Sequence, residues 1–139
     1  MDSNQFYVYL CSNDSKIYFP ENKSAKFSVK LPERLYLPGK WQLALCDVQY
    51  PSIEKKKPEQ LLVLADICQD CIIGETRSPV LRRFKYRSRG YAEFGVFYYV
   101  PLKNQEVDHI SIYLRTDSGE EPLFTSGRVR CTLHFKHVE

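Results

Sequence analysis

Alanine is scarce in this chain: Ala25, Ala44, Ala65 and Ala92 are the only four among 139 residues, whereas Val, Ile and Thr together number 21. Branched and aromatic side chains lose rotamer freedom in helices and pack well on a pleated surface, so this balance favours strands and excludes a helical bundle. Long apolar runs are missing too, and none approaches the roughly 20 residues a spanning helix needs. The start, Met1-Asp2-Ser3-Asn4-Gln5, has no basic region, apolar stretch or small-residue cleavage site, so no leader is expected there. Charge of one sign is not in excess: 20 Lys and Arg against 17 Asp and Glu leave +3, too little by itself to announce a polyanion as partner. Five cysteines, an odd number at no repeating spacing, do not read as a disulfide framework, and a reducing compartment is expected.

Catalytic signatures are equally thin. There is no Gly-x-Ser-x-Gly elbow, phosphate loop or dinucleotide fingerprint. Cys68-Gln69-Asp70-Cys71 has the spacing of half a zinc site, but Cys11, Cys46 and Cys131 are isolated inside expected strands. No helix follows the pair to lower a thiol pKa. His134 and His137 stand three apart on an expected strand and so point to opposite faces, and His-x-His does not occur. Glu120-Glu121 sits beside a turn, as solvated carboxylates do. The expectation is a protein without enzymatic activity, metal or cofactor.

What the chain does have is aromatic residues, 14% of the total, set in segments of strand character. Residues 1–139 read as one domain. Gln5 to Cys11 is the first run, broken by Ser12-Asn13-Asp14-Ser15. Phe27, Val29 and Leu31 alternate with Lys26, Ser28 and Lys30, and Pro32 is expected to end that strand. Between Trp41 and Tyr50 both parities are apolar, the pattern of a strand covered on both sides or central in a sandwich. Further runs are Leu61 to Ile67, Pro79 to Phe84, Val96 to Val100, Val107 to Arg115, and Val129 to Lys136. Eight strands without intervening helices predict antiparallel pairing in an all-β sandwich, for which the eight-stranded jelly roll, another Greek key or a closed barrel are all solutions.

One charge anomaly stands out. Arg77, Arg82, Arg83, Lys85, Arg87 and Arg89 follow one another without an acid, interleaved with Phe84, Tyr86 and Tyr91. Such a strip can track a phosphate backbone, pair with acidic patches of a neighbouring subunit, or be a solvated strand and loop. Lys55-Lys56-Lys57 is a short basic loop of the solvated kind.

Several stretches, taken in order, resemble one family: the single jelly-roll minor capsid (penton) proteins of polinton-like DNA viruses, including adintoviruses and fish adomaviruses. Phe6-Tyr7-Val8-Tyr9-Leu10-Cys11-Ser12-Asn13, Phe19-Pro20-Glu21-Asn22 and Phe27-Ser28-Val29-Lys30-Leu31-Pro32 resemble its opening, an aromatic strand leading through a Phe-Pro-x-Asn loop. Gly39-Lys40-Trp41-Gln42-Leu43-Ala44-Leu45 with Tyr50-Pro51 is similar to its Gly-x-Trp strand. Ile73-Gly74-Glu75 with Pro79-Val80-Leu81-Arg82 is similar to its Val-Gly-Asp stretch. Ile110-Ser111-Ile112-Tyr113-Leu114-Arg115-Thr116-Asp117-Ser118-Gly119, Pro122-Leu123-Phe124 and Gly127-Arg128-Val129-Arg130-Cys131-Thr132-Leu133-His134-Phe135 resemble its close.

The interval from Ser52 to Ile73 is shorter than in many relatives, which makes this a compact form, and no Arg-Gly-Asp is present to suggest integrin binding. The resemblance implies a single jelly roll, a homopentamer at icosahedral fivefold vertices, contact with the major capsid protein, and residence in the virion after assembly in host nucleus or cytoplasm. No membrane partner is implied. Aromatic and arginine side chains commonly anchor subunit contacts, which nominates Arg82, Arg83, Tyr86, Arg87, Arg89, Tyr91, Tyr98 and Tyr99 as interface residues. Nucleic acid along Arg77 to Arg89 is the weaker alternative.

Overall fold

The computed structural model describes residues 4–138; Met1, Asp2 and Ser3 of the polar start lie outside it. No helix occurs among the described residues. The strands are β1 (Gln5–Cys11), β2 (Lys26–Tyr36), β3 (Trp41–Gln49), β4 (Gln60–Ala65), β5 (Cys71–Ile73), β6 (Thr76–Ser78), β7 (Val80–Lys85), β8 (Tyr91–Glu93), β9 (Val100–Pro101), β10 (Glu106–Thr116) and β11 (Arg130–His137). All pairings are antiparallel. One sheet runs β1-β11-β3-β8 with β9 also paired to β3, a second runs β2-β10-β4-β7, and β5-β6 is a separate hairpin.

Alternation on the strands decides what faces inward. Phe27, Val29 and Leu31 of β2, Leu61, Val63 and Ala65 of β4, and Ile110, Ile112 and Leu114 of β10 meet Leu43, Leu45 and Val48 of β3 and Leu133 and Phe135 of β11 in one buried cluster. Phe27 and Phe135 are 1% and 0% exposed, and each such ring contributes up to about 3 kcal/mol. The double-parity pattern of Trp41 to Tyr50 has its explanation here. β3 is central, and a bulge opposite Thr132 and Leu133 inserts Cys46 as an extra residue, so both parities are covered.

The sequence expectation holds for seven of its eight runs and departs in three places. β2 continues past Pro32 to Tyr36; it is an edge strand, and Pro32 lies in the unpaired stretch between Lys30 and Leu35, where no ladder donor is missed. Val96 to Val100 is strand only at its last residue, while Tyr91–Glu93, outside the eight expected runs, pairs with β3. The third departure is the β5-β6 hairpin inserted between β4 and β7.

Candidate interaction surfaces

The basic strip does not stay together in three dimensions. Arg77 sits exposed on β6. A bulge opposite Val63 and Leu64 inserts Leu81 as an extra residue, and the register sets Arg82 beside Val63, on the core side of the edge strand β7. From there the Arg82 guanidinium lies between two rings, 3.9 Å from the Phe94 centroid and 4.0 Å from that of Tyr98. Its Nη1 donates to the Val96 carbonyl at 2.6 Å, while its buried Nε has no partner. Burial lowers the pKa of this group, with the neighbouring Tyr98 acting in the opposite direction. Arg82 and Tyr98 thus bind the 94–98 segment to β7; Arg82 is committed within the chain, while the Tyr98 ring remains largely exposed.

Tyr86, Arg87 and Arg89 form a corner. The Tyr50 hydroxyl donates to the Arg87 carbonyl at 3.2 Å and accepts from the Arg87 amide at 3.0 Å. Tyr86 offers its hydroxyl oxygen to the Ile53 amide at 3.0 Å, with its ring 5.8 Å from that of Tyr50. Arg89 Nε donates to the Tyr91 carbonyl at 3.1 Å. Gly90, at φ 74°, gives its carbonyl to the Tyr50 amide at 2.8 Å, and a Cβ there would overlap the Tyr50 carbonyl oxygen. Arg87 and Arg89 remain exposed around this scaffold.

Outside the five-stranded sheet, the register lines up Tyr7 with His134 and Ala44, Tyr9 with Thr132 and Asp47, and Arg130 with Gln49. Tyr7 and Tyr9 are 53% and 75% exposed, far more than a sandwich residue requires. Tyr91 and Glu93 extend this face on β8, joined by a 3.3 Å hydrogen bond from the Tyr91 hydroxyl to Glu93. A groove of about 380 Å³ runs between Tyr9, Asp14, Asp47, Gln49, Tyr91 and Arg130.

His134 is buried in the same face. Its Nε2 donates to Gln5 Oε1 at 2.9 Å and its Nδ1 accepts from the Tyr99 hydroxyl at 2.6 Å, an arrangement that suits the neutral ring. Tyr7 stacks on it with centroids 4.6 Å apart. Burial first, and then the charge of Lys136, lower the His134 pKa. Tyr99 is therefore an internal partner more than a free contact.

The four-stranded sheet has an outer face of another kind. Lys26 and Lys30 of β2, Arg115 of β10, and Arg83 and Lys85 of β7 all lie on its outward parity, with Tyr113, Leu62 and Leu64 between them. Of the nominated residues only Arg83 belongs to this face. Lys26, Lys30 and Arg115 were not singled out from the sequence because they lie far apart along the chain. The readable signal was the alternation itself, which puts Lys26, Ser28 and Lys30 on the face opposite Phe27, Val29 and Leu31 of β2.

Chemistry by the thiols is poorly supported. Burial, with nearby Asp47 or Asp66 adding to it, pushes Cys131 and Cys68 up to about 12 and Cys46 to about 11. Cys68 is fully buried and Cys71 half-buried at the start of β5. Among the described residues no cluster of three or more His, Cys, Asp or Glu is placed to share a metal ion. No protein-family model matches this chain, and no curated protein shows significant similarity to it.

Proposed function

We propose that this chain is a capsid building block: a single jelly-roll subunit of the minor-capsid (penton) kind, closing into rings of five at icosahedral fivefold vertices and meeting the major capsid protein there. The observation that carries the reading is the pairing order. Taking β8 and β9 as one interrupted strand and the β5-β6 hairpin as an elaboration of the β4–β7 connection leaves eight strand positions. First then pairs with last (β1 with β11), second with seventh (β2 with β10), third with sixth (β3 with β8 and β9) and fourth with fifth (β4 with β7). A long hairpin ribbon wrapped around itself gives this order, which supports the jelly-roll reading.

Two residues that carry the family resemblance also have structural roles that support the reading. Asn22 closes the β1–β2 loop, its side chain accepting from the Ser28 amide at 2.9 Å and donating to the Ser28 and Asp14 carbonyls at 2.7 and 3.2 Å. Tyr50 organises the corner with Arg87 and Gly90. A ring of subunits needs one heterologous pair of patches repeated until it closes. The exposed tyrosines of the five-stranded sheet, with Arg87 and Arg89 beside them, supply the residue types that anchor such patches. Particle residence, and assembly in host nucleus or cytoplasm, belong to this reading. Electron microscopy of the purified protein is expected to show five-membered rings. A strict monomer at high concentration in every salt, together with absence from purified particles, overturns the proposal.

The groove lined by Tyr9, Asp47, Gln49 and Tyr91 favours one other reading, a saccharide-binding module, because flat rings beside carboxylates and amides suit the two sides of a sugar. Glycan-array binding by a chain that stays monomeric would select it.

A further inference from the structure

We infer that the outer face of the four-stranded sheet is a binding site for single-stranded nucleic acid, which it grips by the phosphodiester backbone. This goes beyond the capsid reading and does not rest on it, since a lone chain presents the same face. The argument starts from register. Lys26 pairs with Tyr113, and Arg115 is the next outward residue on β10; Arg115 pairs with Leu62, which pairs with Arg83; Lys85 is the next outward residue on β7. At about 3.4 Å per residue and about 4.8 Å between strands, these steps are about 8, 10 and 7 Å. The four cations therefore form a diagonal track across the sheet, spaced to meet successive or alternate phosphates of an extended strand.

Lys30 adds a fifth charge further along β2. No acid occupies an outward position among the paired residues of this track, and three acids that flank the face are engaged. Asp66 accepts from the Ser111 amide at 2.9 Å, Asp117 from the Gln60 amide at 3.5 Å, and Glu121 pairs with Lys23 at 2.9 Å. Near the middle stands Tyr113, half-buried, with the Lys26 ammonium 5.6 Å and the Arg115 guanidinium 5.7 Å from its ring centre. A ring held between two cations on an open sheet offers a base a surface on which to stack, whatever its sequence. The opposite outer face lacks this bias, with Asp47 and Glu93 standing near Arg130.

The test is fluorescence anisotropy with a labelled 20-nucleotide oligothymidylate across a salt series. Five neutralised phosphates predict that log K falls with log salt at a slope near −3.5, about 0.7 per contact. Lys26→Glu with Arg83→Glu is expected to weaken binding at least tenfold and flatten the slope, and Tyr113→Ala to weaken it about tenfold. Lys40→Glu with Lys103→Glu, exposed lysines away from the track, is the control and is expected to stay within twofold. Circular dichroism checks that each variant is folded. Absence of binding at low salt, equal losses in the control, or reversals that alter self-association while leaving oligonucleotide affinity intact would each overturn the proposal; the last would assign the face to protein contact.

Discussion

Between the Phe94 and Tyr98 rings, a planar guanidinium does what an ammonium cannot: it stacks on two faces while its edge donates to the Val96 carbonyl. Arg82→Ala is accordingly expected to cost about 2–3 kcal/mol in urea unfolding, and Arg82→Lys to recover little of it. Full recovery by lysine would mean that charge alone matters. His134 gives a pH prediction whose sign follows from its lowered pKa. An unfolded chain takes up a proton near the ordinary value of 6.5, at a pH where the native ring still refuses it. The His134 contribution is therefore fully present above that pH, declines as pH falls through it, and levels off below the native pKa. Urea midpoints measured from pH 8 to pH 5 are expected to fall more steeply in the parent than in His134→Gln; identical profiles would remove His134 as the cause.

At the level of elements, legibility followed burial. Runs such as Phe27, Val29, Leu31 or Ile110, Ile112, Leu114 have one wet and one dry face, and that alternation is visible in the letters. Val96 to Val100 misled because its apolar content serves a clamp: Phe97 and Tyr99 lie by His134, and Tyr98 covers Arg82. Tyr91–Glu93 escaped notice because three residues carry too little pattern to read. The basic strip was legible as composition but not as a surface, since alternation with the buried Phe84 turned Arg82 inward and a tyrosine corner claimed the backbone of Arg87. That corner rests on Gly90. Gly90→Ala combines a positive φ with overlap on the Tyr50 carbonyl, and is expected to destabilise the fold by about 2–4 kcal/mol in chemical denaturation. A change below about 0.5 kcal/mol would show that the corner can relax.

Over the whole molecule, the two outer faces differ in chemistry. One carries exposed tyrosines with mixed charges, the other a track of cations. The proposed protein contact on the first and the proposed polyanion contact on the second can therefore be separated by mutation. Tyr9→Ser with Tyr91→Ser removes two exposed rings and should leave the monomer folded. If this face closes the ring, the pair is expected to weaken association by about 2 kcal/mol or more per contact, seen as loss of five-membered species by mass photometry. Unchanged rings would move the subunit contact elsewhere.

The partnership of β1 with β11 has a further consequence for synthesis. β11 lies between β1 and β3, so β1 has no neighbour in its sheet until β11 has left the ribosome. Every other strand of the fold separates those partners along the chain, a topology that delays closure of the sheet until β11 is made. A nascent chain that stops short of β11 cannot close this sheet, and so the face carrying Tyr7 and Tyr9 is assembled only once β11 joins it.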